Sequence, residues 1–376
     1  MTDRDEFALI LSGGGARAAY QVGVLKSLTQ YLPRNHKLPF PVLCGTSAGA
    51  INATALACYA SCFHLGVRKL EWVWKNFKTS QVYDASFTEV AGYILRNYAS
   101  SWRSDYFSKR PGSLLNNQPL RFLIKRMMDF SRIDRNIMSG KLNAICISAS
   151  CYSERNAVSF FQGKESIAGW KRHHRMGLPC RLEIDHLLAS SAIPLVFPPV
   201  KIGEDYYGDG AIHESAPLSA PIHLGARKIM VIGVVKDKPD NPHPHLTKRL
   251  NSAQVAGHLL DTIFSDALES DIERMRRVNQ TLNLLTPKQK KLTDLKPVDC
   301  LIINPSQSIQ DLAWKHYEEM PGGIKALLRL IGVNRSGESS LLSYLMFEGK
   351  FCNELIQLGY KDGLKRQEEI RKFLEL

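Results

Sequence analysis

At 376 residues, with 44% hydrophobic and 23% charged residues, the chain is long enough to bury a substantial core and too apolar for a disordered polymer. Its 49 lysines and arginines outweigh 36 aspartates and glutamates, and the net charge of +13 favours partners that carry phosphate or other anionic groups. No long basic tract, zinc-finger or RNA-recognition pattern accompanies that charge, which speaks against nucleic acid and leaves an anionic membrane surface.

The N-terminus carries charges and runs straight into apolar residues, so it does not read as a secretory signal. Phe7 to Leu11 is a short apolar run ending at Ser12-Gly13-Gly14-Gly15, and Ala16 to Tyr31 then places Ala19, Val22, Leu25 and Leu28 at helical spacing. A second unit repeats the pattern: Val42 to Cys44 as strand, Gly45 to Gly49 as turn, and an alanine-rich helix from about Ala50 to Cys62. Two such units in succession predict a parallel sheet with helices on its faces. The charge-free stretch from Leu38 to Val67 is long enough for a membrane span, but Gly45, Ser47, Gly49, Asn52, Thr54, Ser61 and His64 dilute it. A buried strand and helix is therefore expected there, and no transmembrane helix.

From Trp72 to Ile133 the chain reads as helical and aromatic-rich, with Ser113 to Pro119 as a cap and first turn. Strands resume at Leu142 to Ser148 and Val158 to Phe161, and Lys228 to Val235 has the continuous apolar character of a buried parallel strand. Trp170 to Arg175 is a basic segment, and Asp237 to His245 reads as a loop. An amphipathic helix over roughly Ala253 to Asn279, a strand at Cys300 to Asn304 and mixed-charge helices complete the chain. The eight cysteines form no C-x-x-C pair and read as reduced core residues of a cytosolic protein; Cys58 and Cys62 are one turn apart, but nothing completes a metal site around them.

Gly45-x-Ser47-x-Gly49 between a strand and a helix is the context of a nucleophile elbow. The serine there occupies a strained turn, and side chains two positions away on either side would collide, so both must be glycine. The helix that begins at the serine also aims its positive dipole end at the site. A serine nucleophile needs an oxyanion hole and a base. Gly13-Gly14-Gly15 offers unencumbered N–H groups for the first, although a glycine turn before a helix also suits a nucleotide phosphate. Against the nucleotide, Ala18 stands where the dinucleotide fingerprint needs its last glycine, and no Gly-Lys-Ser/Thr follows.

For the base, His64, His186, His213 and His223 fall near ordered elements, but none is marked as a partner, and His173 and His174 belong to the basic segment. Asp209, between Gly208 and Gly210, is the better candidate, with an ordinary pKa of about 4 that would leave orientation and the oxyanion hole to carry most of the catalysis. Taken alone, Asp-Gly is simply a turn.

Gly13-Gly14-Gly15-Ala16-Arg17, Gly45-Thr46-Ser47-Ala48-Gly49, Ala189-Ser190-Ser191-Ala192-Ile193-Pro194 before "FPPV", and Asp209-Gly210-Ala211, in that order, together resemble the patatin-like phospholipases. The resemblance is strongest over residues 6–236, and the stretch from Leu341 to Gly363 is more loosely similar to the tail of bacterial members. It implies a three-layer α/β/α fold with a mainly parallel sheet, a catalytic core over 6–236 with a helical cap insertion at about 72–133, and a mostly helical part over 246–376 packed on the same domain. It further implies a lipid acyl-ester hydrolase of phospholipase A or lysophospholipase type. By position, Ser47 is then the nucleophile, Asp209 the base and Gly13 to Gly15 the oxyanion loop; the mechanism requires no metal and no cofactor.

Ala18 departs from the family's usual glycine after the arginine, which puts the width of the pocket in question. Arg17 has two readings, a contact to a lipid phosphate or a pairing with a carboxylate that holds the loop. Ser190 and Ser191 read as structural hydroxyls in the site wall. The implied partners are a phospholipid or lysophospholipid and an anionic membrane surface, met by the Trp72 to Met128 segment and the Trp170 to Arg175 stretch, or else these form a cap and a solvated loop. The expected location is cytoplasmic, peripheral at a membrane. Acyl transfer to a lipid acceptor and a non-catalytic lipid-binding module are the alternatives.

Overall fold

The computed structural model describes residues 6–84, 92, 113, 115–194, 196–236, 252–330, 332–333 and 340–376. The chain begins with strand β1 (Phe7–Leu11), a short 3-10 turn at Gly15–Ala18 and helix α1 (Ala19–Leu28). Strand β2 (Val42–Thr46), α2 (Ala48–Cys58), α3 (Phe63–Lys75) and α4 (Gln118–Met127) follow. Most of the segment between α3 and α4, in which the sequence predicts part of a cap, and the expected loop at Asp237 to His245 lie outside the described residues.

The remaining strands are β3 (Ala144–Cys151), β4 (Asn156–Gly163), β5 (Trp170–Arg172), β6 (Arg175–Pro179), β7 (Val200–Ile202), β8 (Asp205–Asp209), β9 (Lys228–Ile232) and β10 (Asp299–Ile303). They join one sheet in the order β10-β9-β1-β2-β3-β4-β6-β5, with β8 bonded to β3 and β7 to β8. From β10 to β3 every pairing is parallel, and these strands are the apolar runs that the sequence marks. A parallel strand covered on both faces needs apolar residues at every position, which is why they read as continuous runs.

Alternation along the strands shows the two layers. In β1, Phe7, Leu9 and Leu11 join one apolar cluster while Ala8 and Ile10 join another, and in β9 Met230 and Ile232 part from Ile229 and Val231 in the same way. The first cluster is closed by α1, α2, α3 and a helix at Gly349–Lys365; the second by Ile272, Leu268 and Met275 of a long helix, Ser252–Leu284. The result is a sheet between two helical layers, α/β/α and mostly parallel.

Beyond β3 the sheet becomes mixed, with β4 and β6 parallel and the other pairings antiparallel, which the sequence does not foretell. β3 pairs antiparallel with both β4 and β8, and the basic stretch Trp170 to Arg175 forms the edge hairpin β5–β6. Trp170 anchors that hairpin by stacking on Phe161 and His223, with ring centroids 5.3 and 4.8 Å away. The hairpin is thus neither a free loop nor a strand visible from its charged sequence.

Helix Gly349–Lys365 lies against α1 so closely that a methyl on Gly359 would meet the Tyr20 carbonyl oxygen at 2.1 Å. Tyr20 Oη donates to Asp362 Oδ2 at 3.2 Å, and Asp362 also receives the Ser306 N–H and hydroxyl. Alpha1, which carries the glycine turn on its N-terminal side, is therefore fixed from both ends of the sequence. No helix among the described residues is long and apolar enough to cross a membrane.

Candidate active site

Ser47 stands at the end of β2, one residue before α2, with φ 56° and ψ −129°. A non-glycine residue at positive φ is strained, and here the strain points the side chain out of the sheet at the start of a helix. The neighbouring glycines are required by contact. A Cβ on Gly49 would sit 2.1 Å from the Leu11 carbonyl oxygen, and one on Gly45 would sit 2.6 Å from Ala50 Cα. The bend thus packs directly on β1 and on its own helix.

Asp209 ends β8, opposite Ala149 of β3, and its N–H donates to the Ala192 carbonyl at 2.9 Å. Its Oδ1 accepts the Ala211 N–H at 3.0 Å, whereas Oδ2 is buried with no hydrogen bond of good geometry among the described residues. Burial pushes the carboxyl up to about 7; the Ser47 hydroxyl and the Ala211 N–H pull the other way. The structure therefore brings Ser47 and Asp209 together across β2 and β3. It also overturns the expectation of an ordinary carboxylate near 4, because the aspartate is 1% exposed and the sequence carries no measure of that.

Gly13, Gly14 and Gly15 are buried at the end of β1, and none of their N–H groups donates to a carbonyl among the described residues. Gly15 has φ +54°, and a Cβ on it would meet the Tyr344 carbonyl oxygen at 2.3 Å, so only glycine fits between the loop and the helix at Leu341–Leu345. Gly15 and Ser47 line the same cavity. Ala18 does not line it; its carbonyl accepts from Asn52 Nδ2 at 3.1 Å, and its methyl is buried elsewhere.

Arg17 is 4% exposed and its guanidinium is fully engaged. Nε donates to Ser343 Oγ at 2.8 Å, Nη1 to Asp261 Oδ1 at 2.9 Å and to Tyr344 Oη at 3.1 Å, and the group lies 3.9 Å over the Tyr344 ring. Of the two readings of Arg17, this geometry matches the carboxylate pairing that holds the loop.

Ser190 belongs to the Ala189 to Pro194 block, whereas Asn52 and Gln21 carry no motif. Ser190 Oγ accepts the Ser47 N–H at 2.9 Å and donates to the Ser148 carbonyl at 2.6 Å, tying the bend to β3. Asn52 joins Ala18, Gln21 and Trp74, and Gln21 Nε2 donates to the Ser12 carbonyl at 2.8 Å, so the glycine turn is held by amides from α1 and α2. Only a polar residue among small apolar ones hints at such roles in sequence. Among the described residues, His64 bonds the Leu32 carbonyl, His186 the Glu183 N–H and Cys180, and His223 the Ser219 carbonyl, while His213 Nδ1 is buried with no hydrogen-bond partner and its backbone N–H donates to Ser150 Oγ; Ser47 is not among these partners.

The cavity has a volume of about 230 Å³ and is lined chiefly by Ile51 and Ala55 of α2, Leu70, Val73 and Trp74 of α3, and Leu120, Leu123 and Ile124 of α4. Ser47 is buried among its lining residues, and the lining is that of a site for an apolar chain. Among the described residues no group of three or more His, Cys, Asp or Glu side chains is placed to hold a metal ion.

The family model described as patatin-like phospholipase matches residues 9–222, a span that contains the glycine turn, Ser47 and Asp209. A curated relative, the cGAMP-activated phospholipase of Pseudomonas aeruginosa, is 23% identical over 321 residues, covering 81% of this chain and 85% of that protein. Among solved structures, VipD from Legionella pneumophila aligns at a TM-score of 0.32 and 9% identity over 99% of this chain and 67% of its own. Human GIVD cytosolic phospholipase A2 in complex with a fluorophosphonate inhibitor aligns at a TM-score of 0.44 and 12% identity over the whole chain, which spans 60% of that structure.

Proposed function

The chain belongs to the patatin-like phospholipase family, and from that premise we propose that it cleaves acyl esters of phospholipids or lysophospholipids with Ser47 as nucleophile and Asp209 as base. Membership makes it an acyl hydrolase acting on lipids. What supports the finer reading is one observation above others: the Ser47 hydroxyl, on a strained backbone that lines an apolar cavity, lies close enough to lower the pKa of the buried Asp209 carboxyl, whose Oδ2 has no hydrogen bond of good geometry among the described residues.

In this reading the acyl chain occupies the cavity and its ester carbonyl lies over Ser47. Ser47 Oγ bonds to the carbonyl carbon as its proton passes to Asp209 Oδ2. The developing oxyanion is met by N–H groups of Gly13 to Gly15 and by the start of α2, which are fixed before substrate arrives and need no rearrangement. Collapse breaks the ester C–O bond, the departing alcohol takes the proton from Asp209, and an acyl-serine remains. A water then gives its proton to Asp209 and attacks the acyl carbon; the proton returns to Ser47 as the fatty acid leaves. The elevated pKa of Asp209 suits this work, because a carboxylate that holds a proton to about neutrality is a far better base than one at 4.

The test is release of fatty acid from phospholipid vesicles and from soluble short-chain esters by the wild type, Ser47→Ala and Asp209→Asn, together with labelling by a fluorophosphonate probe. Loss of both activities in each variant and loss of label in Ser47→Ala are expected. Full activity in Ser47→Ala, or a folded wild type that neither labels nor turns over, would sink the assignment.

A further inference from the structure

The cavity opens at two cationic side chains. Of the residues lining it, Lys69 on α3 and Arg126 on α4 are the exposed ones, which marks where it reaches solvent. Neither takes part in an ion pair among the described residues, whereas Lys75 and Arg121 on the same two helices are paired with Glu71 and Asp185. Each cation has an exposed aromatic one helical turn away. Trp72, three residues after Lys69, is 62% exposed, and Phe122, four residues before Arg126, is 68% exposed. Residues three and four apart are neighbours on a helix surface, so each helix presents one cation and one large apolar ring beside the opening. Exposed rings of this size gain nothing from water, and unpaired cations among them define the sign of the surface they meet.

We infer that this rim, Lys69 and Trp72 with Phe122 and Arg126, is the surface by which the protein seats on an anionic lipid bilayer, with the cavity opening toward the lipid. The rings enter the headgroup boundary and the cations meet lipid phosphates, the division of labour of interfacial protein segments. The opening then lies at the depth where an acyl ester lies, and a lipid reaches Ser47 without crossing water. The net charge of +13 acts in the same direction. The inference rests on reading the cavity as the acyl site.

The experiment uses the full chain in the Ser47→Ala form, which binds without consuming the membrane. Co-sedimentation is measured with vesicles of phosphatidylcholine alone and with vesicles that also contain phosphatidylglycerol. Binding to the anionic vesicles is expected, falling roughly thirtyfold in Lys69→Gln/Arg126→Gln and by about tenfold or more in Trp72→Ala/Phe122→Ala. Undiminished binding by either double variant overturns the inference, as it would if this rim served a protein partner. In the otherwise native chain, Trp72→Ala/Phe122→Ala is expected to hydrolyse a soluble short-chain ester as the wild type does while losing activity on anionic vesicles. A wild type that hydrolyses no soluble ester refutes the proposed chemistry instead, and the vesicle binding still decides the docking.

Discussion

The Ser190 hydroxyl holds the N–H of Ser47 at 2.9 Å and at the same time donates to the Ser148 carbonyl at 2.6 Å. One side chain thereby fastens the strained bend at Ser47 to the strand that also pairs with the end of β8, where Asp209 sits. Ser190→Ala leaves the Ser47 N–H and the Ser148 carbonyl buried and unpaired, at a cost of about 1–3 kcal/mol each when no water enters. Turnover is expected to fall at least tenfold with Ser47 still present, and chemical denaturation to show an earlier midpoint. An activity equal to wild type would mean that the bend holds its shape without this link.

Asp209→Asn is expected to remove turnover and to raise stability. The folded carboxyl binds its proton up to about 7, against 3.8 in the unfolded chain, so between those values the folded state holds more protons and stability declines as pH rises. At pH 8 the ionised, buried carboxylate is a liability on the order of a few kcal/mol that the amide does not carry. Thermal unfolding of both proteins at pH 5 and pH 8 checks this: the variant's advantage should be larger at the higher pH.

In the proposed mechanism the same carboxyl sets the pH dependence of catalysis. A base must be ionised to accept the Ser47 proton, so kcat/KM for a soluble ester is expected to rise with pH and level off above an apparent pKa near 7. A profile already flat at pH 5 would place the base elsewhere.

Arg17→Ala is expected to loosen the glycine loop from the helices behind it. The change takes the guanidinium away from Asp261, Ser343 and Tyr344, which keep the Tyr344–Asp261 and Ser343–Ser340 bonds, and a loss of about 2 kcal/mol follows, below the figure for a fully enclosed pair because Asp261 is 32% exposed. Arg17→Lys keeps the charge but lacks the fork that reaches Ser343 and Asp261 together, and should fall between. Urea unfolding measures it. Unchanged stability with a raised KM for phospholipids alone would return Arg17 to the phosphate reading.

What the sequence discloses and what it hides divide along chain distance. Gly45, Ser47 and Gly49 are legible because the collisions that demand those glycines arise within one turn and the strand beside it. β1, β2 and β9 are legible because burial on both faces makes them uniformly apolar. The anchoring of Arg17 is not, since its partners come from residues 261, 340, 343 and 344, brought close only by the finished fold. The raised pKa of Asp209 is likewise a property of enclosure. β5 and β6 escape notice because an exposed edge hairpin needs charge where a central strand needs hydrocarbon.

The carbonyl of Tyr344 backs Gly15, and Arg17 reaches the same segment for three of its bonds. A chain still emerging from the ribosome therefore displays Ser47 and Asp209 long before the glycine loop has its support. A chain cut short before residue 340 would carry both of these side chains with the glycine loop unbraced.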